Sequence, residues 1–181
     1  MVAVSIFLMV VTGSVVSHFY GLKMFDATQS KLGANTSASR VMDLLTTDIR
    51  SAYNLEIGNG TSNTFTRVAD NTLQQGNAVQ LYYSAATNVF TRYYWNSAAK
   101  ALNRITNGSS VSSNVVSSIS SGSIFSLEDY AGNVRLNNQN GGVVGISLAF
   151  NALKYAGSGL ATGQTNGGYQ VKAKINRRAQ E

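Results

Sequence analysis

The ionisable residues that could support catalysis are few in this sequence, and their spacing separates them. His18 is the only histidine, whereas a catalytic triad or a histidine-based metal site needs several partners. Asp43 and Asp48 lie five residues apart on a predicted helix and therefore point in different directions. The sequence thus predicts no enzyme activity, and we interpret His18 as a hydrogen-bonding residue at a membrane boundary or between helices.

One segment offers oxygen ligands of the kind that a hard metal ion prefers. Glu128 and Asp129 are followed by Gly132 and Asn133, and calcium binds carboxylate and amide oxygens. The full ligand spacing of a calcium-binding loop is not present, and an ordinary Asx turn with glycine explains the same residues. We keep Glu128, Asp129 and Asn133 as weak calcium candidates and expect no cofactor.

The composition excludes several classes of protein. The chain has no cysteine, so it contains neither disulfides nor a thiolate zinc site. Charged residues make up only 12% of the chain, which suits an exported or cell-surface protein. The formal net charge is +6, but the basic residues are scattered, so we expect no nucleic-acid binding. They cluster only in the tail, at Lys172, Lys174, Arg177 and Arg178.

An apolar segment opens the sequence. No residue before Lys23 is charged, and about 20 apolar residues suffice to cross a hydrocarbon core of about 30 Å. A secretory signal peptide would begin with a basic region, which is absent, so we expect a membrane anchor whose natural beginning lies upstream of Met1. Residues 1–22 are therefore the predicted membrane-spanning or self-associating half of a helix. The residues expected to contact lipid or other copies are Val4, Ile6, Phe7, Leu8, Val10, Val11, Val15 and Phe19.

The same helix is predicted to continue as an amphipathic segment over residues 23–57. Apolar residues recur there mostly three or four positions apart, which places them on one helical face. We expect this stripe to pack against a sheet and Gly58-Asn59-Gly60 to end the helix. The residues of the stripe are Val41, Leu45, Ile49 and Ala52.

Beyond residue 58 the hydrophobic period changes to two, which is typical of strands with one buried and one wet face. We expect an antiparallel sheet over residues 58–181, and hence an α+β fold. In that fold, the amphipathic half of the helix packs on the sheet and the apolar half protrudes. Residues 107–121 are interpreted as a loop or a weak edge. The predicted strands cover 78–83, 88–95, 101–106, 123–127, 133–136, 144–150 and 169–175.

Three stretches resemble the superfamily of type IV pilins and type II secretion pseudopilins. Met1-Val-Ala-Val-Ser-Ile-Phe-Leu8 is similar to the residues that follow the prepilin cleavage motif. The Gly and the Phe-Thr-Leu-(Val/Ile)-Glu-Leu that precede them in the family are missing here. Leu45-Thr-Thr-Asp-Ile-Arg-Ser-Ala52 and the stretch Tyr93 to Arg104 are similar to motifs of the minor J-type pseudopilins and the PilW-like minor pilins. The chain therefore resembles one that begins several residues into a mature subunit.

The resemblance implies a structural subunit. Such a subunit is held first in the inner membrane, with its domain in the periplasm, and then joins other pilin or pseudopilin subunits in an extracellular or periplasmic filament. The J-type subclass is implied to sit at the tip and to prime assembly. We expect His18, Asp48 and Arg50 to contact neighbouring subunits, although Asp48 could instead hold a lysine or a backbone group of the sheet, and a solvated helix face explains Arg50 equally well.

Three other functions are compatible with the same sequence. The chain could be a major, fibre-forming pilin. It could be a single-span envelope protein whose β domain binds a ligand, with no role in assembly. An anchored hydrolase is disfavoured because the polar clusters do not converge.

Overall fold

The structure is a computed structural model that describes residues 2–85, 88–107, 112–120, 122–137, 142–150 and 169–177. The chain divides into two compact units, Met1–Thr36 and Ser37–Glu181. One helix, α1, runs over Val2–Ser51 and contributes residues to both units. A long N-terminal helix followed by antiparallel sheets confirms the predicted α+β class.

The strands form two antiparallel sheets rather than the one that was predicted. Sheet A has six strands in the order β2-β1-β4-β5-β6-β7, and sheet B has four in the order β10-β9-β8-β3. A period of two marks a strand with one buried face but does not say which sheet the strand joins. The strands are β1 Asn54–Gly60, β2 Phe65–Arg67, β3 Gln75–Gly76, β4 Ala78–Tyr82, β5 Phe90–Asn96, β6 Ala101–Thr106, β7 Ser113–Val116, β8 Phe125–Glu128, β9 Val143–Phe150 and β10 Tyr169–Asn176.

The apolar part of α1 lies in the first unit. Val2–Phe25 is a helical stretch of 24 residues with a mean hydropathy of 2.0, and none of its most apolar window is buried within the chain. By length and composition this stretch can cross a membrane. One hydroxyl inside it is satisfied locally, because Thr12 Oγ1 donates a hydrogen bond of 2.7 Å to the Leu8 carbonyl.

The last turns of α1 belong to the second unit and bury one face. Val41, Leu45 and Ile49 are buried, whereas Asp43 and Thr47 are exposed. This alternation follows the helical period, so the apolar stripe faces the core and the polar residues face solvent.

The helix ends at Ser51, earlier than the predicted boundary at residue 57. Ala52 is buried directly after it. The Tyr53 N–H then donates a hydrogen bond of 2.7 Å to the Tyr82 carbonyl of β4, which brings the chain into sheet A. Because the backbone turns to a sheet partner here, residues 54–57 are strand and Gly58-Asn59-Gly60 is not the helix terminator that was predicted.

One core receives apolar side chains from α1 and from both sheets. Leu81 and Tyr93 of sheet A, Leu127 and Ile146 of sheet B, and Leu45 of α1 all belong to it. The other face of sheet A is covered as well. A second buried cluster lies there, made of Ala78, Tyr94 and Ile105 with Phe65 packed on it. The expectation of one wet face therefore fails for the central strands of sheet A but describes β10, where Gln170, Lys172 and Lys174 alternate outward.

Two smaller assignments differ from the predicted ones. Within 107–121, Ser113–Val116 forms the edge strand β7, while residues 108–111 and 121 lie outside the described residues. Of the predicted strand 133–136, only Val134 pairs, in an isolated bridge with Glu128. Both segments are short, and a two-residue alternation cannot separate a strand from a turn at that length.

Alternate glycines in β1 leave room for an aromatic ring. A Cβ on Gly58 would lie 2.7 Å from the Phe65 ring, and one on Gly60 would lie 3.2 Å from it. Phe65 belongs to β2, which pairs with β1 in antiparallel fashion. The ring therefore covers bare backbone, a known way to stabilise glycine within a sheet.

The chain passes from sheet B to sheet A at Gly76, where two backbones approach closely. A Cβ on Gly76 would overlap the Gly58 carbonyl of β1, so only glycine fits. Asn77 then fixes the entry of the chain into sheet A. Its Oδ1 accepts a hydrogen bond of 2.8 Å from the Gly60 N–H, and its carbonyl accepts one of 2.9 Å from the Trp95 N–H.

Replacing Gly76 by alanine is expected to lower the free energy of unfolding by about 3 kcal/mol, because a clash with backbone is not relieved by rotating a side chain. Gly122→Ala is the matched control. Its new Cβ would meet only the Trp95 side chain, at 3.3 Å, and we expect a cost below about 1 kcal/mol. Urea denaturation followed by circular dichroism checks both values, and equal stabilities would contradict the close approach.

Candidate functional site

The first candidate site is the surface of the apolar span Val2–Phe25. A helix that is apolar on every side needs apolar surroundings, which are either lipid or other protein. The eight residues that the sequence predicts as contacts to lipid or to other copies all lie in this span, and all are exposed in the chain. They are Val4, Ile6, Phe7, Leu8, Val10, Val11, Val15 and Phe19.

The C-terminal end of the span carries residues typical of a membrane interface. Lys23 Nζ lies 5.9 Å from the centre of the Tyr20 ring. Aromatic and basic side chains at the end of an apolar helix favour the headgroup region. His18 lies inside the span, exposed, and its side chain makes no hydrogen bond to any residue that the structure describes.

The second candidate site is a polar cluster between α1 and sheet A, which we call the Asp48 cluster: Asp48, Tyr93 and Arg104. The Tyr93 hydroxyl donates a hydrogen bond of 2.6 Å to Asp48 Oδ2. Arg104 Nη2 lies 3.2 Å from the same oxygen, and Arg104 Nε donates a bond of 3.0 Å to the Tyr93 hydroxyl. The Asp48 side chain is only 14% exposed, so solvent screens these contacts less than it screens surface pairs.

The secondary structure explains why these three side chains meet. Tyr93 of β5 and Arg104 of β6 are direct partners in the antiparallel register, so their side chains lie side by side on one face of sheet A. Asp48 precedes the buried Ile49 and follows Leu45 by three positions. It therefore sits at the rim of the apolar stripe, where a helix residue can reach the sheet and still contact water.

The tyrosines of this region are held in their neutral form. Burial raises the pKa of Tyr93, and the hydrogen bond to Asp48 and the negative charge of that carboxylate raise it further, while Arg104 opposes the change. Burial likewise raises the pKa of Tyr83. A phenol that stays protonated acts as a hydrogen-bond donor, which fits a structural role rather than acid–base catalysis near neutral pH.

The three predicted inter-subunit residues have different surroundings. Asp48 is bound within its own chain, to Tyr93 and Arg104. The inter-subunit contact of Asp48 stays a prediction; within its own chain, an arginine and a tyrosine of the sheet take the place of the lysine or backbone group considered as the alternative. Arg50 is exposed, and no ion pair joins it to the residues that the structure describes. His18 is exposed on the apolar span.

The calcium candidates form an internally satisfied turn. Asp129 Oδ1 accepts a hydrogen bond of 2.8 Å from the Asn133 N–H, and this bond is the main cause that lowers the pKa of Asp129. Gly132 has a positive φ of 94°, as the turn requires. The arrangement is that of an Asx turn.

A side-chain cation already neutralises the neighbouring Glu128. Lys174 Nζ of β10 lies 2.9 Å from Glu128 Oε2, and Ser126 Oγ donates a bond of 2.9 Å to Glu128 Oε1. Among the described residues no group of three or more His, Cys, Asp or Glu could hold a metal ion. Glu128 therefore faces β10 rather than joining Asp129 and Asn133 as a ligand set.

Sequence analysis missed a buried arginine on the outer face of sheet A. Arg92 is 6% exposed, and its guanidinium lies 5.3 Å from the Phe65 ring and 5.0 Å from the Phe90 ring. Arg92 Nη1 donates bonds of 2.9 and 3.0 Å to the Thr61 and Thr64 carbonyls. Burial lowers the pKa of Arg92, and no carboxylate in the described part of the chain lies within ion-pair distance of it.

No signal in the sequence would have found this arginine. It alternates with the core residue Tyr93, and alternation predicts a solvent-facing side chain. The hairpin that covers it is held by the tip residues Thr61 and Thr64, whose contribution is backbone carbonyl oxygen. Backbone acceptors carry no sequence pattern.

Most of the described carboxylates are bound inside the chain. Five of them have a side-chain partner, whereas Asp43 is exposed on α1 and forms no ion pair with the described residues. The five are Asp48 with Tyr93 and Arg104, Glu56 with Tyr82, Asp70 with Arg67, Glu128 with Lys174, and Asp129 with Asn133. In the basic tail Lys172 is exposed and Arg177 donates to the Tyr53 carbonyl, while Arg178 lies outside the described residues.

No family model, curated protein or solved structure matches this chain.

Replacing Asp48 by asparagine is expected to lower the free energy of unfolding by about 2 kcal/mol, because a charged acceptor is lost and Arg104 keeps no carboxylate. Asp43→Asn, at an exposed position on the same helix, is the matched control and should change it by less than about 0.5 kcal/mol. Urea denaturation measures both. Two equally stable variants would mean that the cluster contributes nothing.

The stability of the second unit should fall at alkaline pH. A group whose pKa is raised on folding contributes stability that is fully present below its unfolded pKa and is lost as pH rises towards its folded pKa. For Tyr93 this loss begins near its ordinary value of 10.0, and one proton corresponds to about 1.4 kcal/mol per pH unit. Tyr93→Phe should reduce the slope of unfolding free energy against pH above this point by that amount. An unchanged slope in urea titrations at several pH values would contradict it.

Proposed function

We propose that this protein is a structural subunit of a type IV pilus-like or type II secretion pseudopilus filament. The observation that carries the proposal is the double character of α1. One uninterrupted helix over Val2–Ser51 begins as an exposed apolar span of membrane length and ends as a buried amphipathic stripe. A helix of this kind has two apolar surfaces, and only one of them is used inside the chain.

The unused surface fits two successive environments. In a bilayer, the helix satisfies its own backbone hydrogen bonds and exposes mainly apolar side chains to lipid. In a filament core, the helices of other copies replace the lipid without exposing any further polar group. The same span therefore serves both as the anchor in the inner membrane, with the sheet domain in the periplasm, and as the contact surface in an extracellular or periplasmic filament.

The second unit has the features of a structural domain that α1 holds at the membrane or in the filament. Its core is continuous with the end of α1, and the Asp48 cluster ties helix and sheet A together. Five of the described carboxylates have separate structural partners rather than a shared cleft, which supports a structural role over a catalytic one. The proposed minor role at the filament tip, as an assembly primer, rests on the resemblance of residues 45–52 and 93–104 to J-type and PilW-like subunits.

The proposal is tested by placing a charge in the middle of the apolar span and measuring where the protein is found in the cells that produce it. Val11→Arg should reduce the amount of protein in membranes and in filaments sheared from the cell surface, because an arginine at the centre of a membrane helix costs about 3 kcal/mol. Ser39→Arg is the matched control, since Ser39 is an exposed position of the same helix, and it should leave both amounts unchanged.

The fractionation separates the proposed function from its competitors. A native protein that is present in membranes but absent from sheared and periplasmic filaments would identify an anchored domain with no role in assembly. A low copy number confined to filament ends, seen by immunogold labelling, would support a minor tip subunit. Uniform labelling along the fibre would identify a major subunit instead.

A further inference from the structure

His18 is the one imidazole in an otherwise apolar, membrane-length helix. It lies within the exposed span Val2–Phe25, and no described residue hydrogen bonds to its side chain. An ionisable residue in such a segment is costly when charged, and it is a candidate for function. The imidazole is also the side chain whose ordinary pKa, about 6.5, lies closest to physiological pH.

The position of His18 relative to the interface can be read from the helix. Tyr20 and Lys23, whose side chains pair across 5.9 Å, are the residues suited to the headgroup region. With a rise of about 1.5 Å per residue, His18 lies about 7.5 Å deeper than Lys23 and about 24 Å from Val2. Helix side chains also lean towards the N-terminus, so the ring leans away from the nearer interface and deeper into the hydrocarbon.

We infer that the depth of this span in a lipid bilayer depends on the protonation of His18. The neutral ring stays below the interface, where it costs little. The imidazolium draws the C-terminal end of the span towards the headgroups, because a charge in hydrocarbon is far more costly than one at the interface. This inference rests on the membrane-bound stage of the proposed function.

No ionisable side chain of the described residues lies close enough to His18 to share its proton. The most apolar window of the span is unburied in the chain, so His18 has no neighbour from another element among the described residues. Within the span Val2–Phe25, the other ionisable side chains are Tyr20 and Lys23. Lys23 is rotated about 140° from His18 around the axis, so it neither pairs with the imidazole nor repels it at close range.

The absence of cysteine from the chain allows a single-site depth probe. Leu22→Cys, labelled with an environment-sensitive fluorophore, is reconstituted as the full chain in phosphatidylcholine vesicles and measured between pH 4.5 and 8. Quenching by lipids that carry spin labels at two depths reports the position of residue 22. The same probe is placed in His18→Gln, which is polar but never charged, and in His18→Lys, which is charged throughout.

The expected result is a titration in the wild-type background. The probe should report the deep position of the His18→Gln protein at high pH and the shallow position of the His18→Lys protein at low pH. The change between the two positions should fit the binding of a single proton within the measured pH range.

Two results would overturn the inference in different ways. A probe that stays deep at every pH in the wild-type background, or the same titration in His18→Gln, would exclude His18 as the switch while leaving the membrane-bound stage intact. A probe that reports water at pH 8 even in His18→Gln would overturn the membrane-bound stage itself, and the inference with it.

Discussion

The hydrogen bonds accepted by Asp48 are the constraint on which the second unit depends. An apolar stripe determines which face of a helix is buried, but because it repeats along the axis it specifies the position along the sheet less sharply than a single polar contact does. One carboxylate that accepts from Tyr93 and pairs with Arg104 distinguishes a single position. Because Tyr93 and Arg104 are register partners in β5 and β6, the same contact also ties the helix to the pairing of the two central strands.

Patterns repeated over many residues could be predicted from the sequence. The helical stripe around Leu45 and the alternation in β4, β6, β9 and β10 determine local structure because each turn or pair of residues repeats the same signal. The end of α1 and the division into two sheets could not be predicted, because they depend on single contacts. The Tyr53 N–H donates to a backbone carbonyl of β4, and Gly76 lets the chain cross between the sheets. The residue type alone predicts neither contact.

The two candidate sites differ in how far the sequence could predict them, and the difference again lies between a repeated pattern and single contacts. The apolar span is visible in the sequence because its length and hydropathy are properties of a segment. In the Asp48 cluster, Asp48 is 45 positions away from Tyr93 in the sequence and 56 positions away from Arg104. Only the folded chain brings these side chains together. Glu128 illustrates the reverse case. Its neighbours in sequence made it a weak calcium candidate, but its neighbour in space is the Lys174 ammonium of β10.

The internal use of the carboxylates has an electrostatic consequence. Asp48, Glu56, Asp70, Glu128 and Asp129 are bound to partners in their own chain, whereas cations such as Arg50 and Lys172 are exposed. Where copies of such a domain stand close together, every copy presents charge of the same sign to the next. Salt screens this repulsion over about 8 Å at physiological ionic strength. The spacing and lateral bundling of neighbouring domains would then follow the salt concentration of the medium rather than the area available for contact.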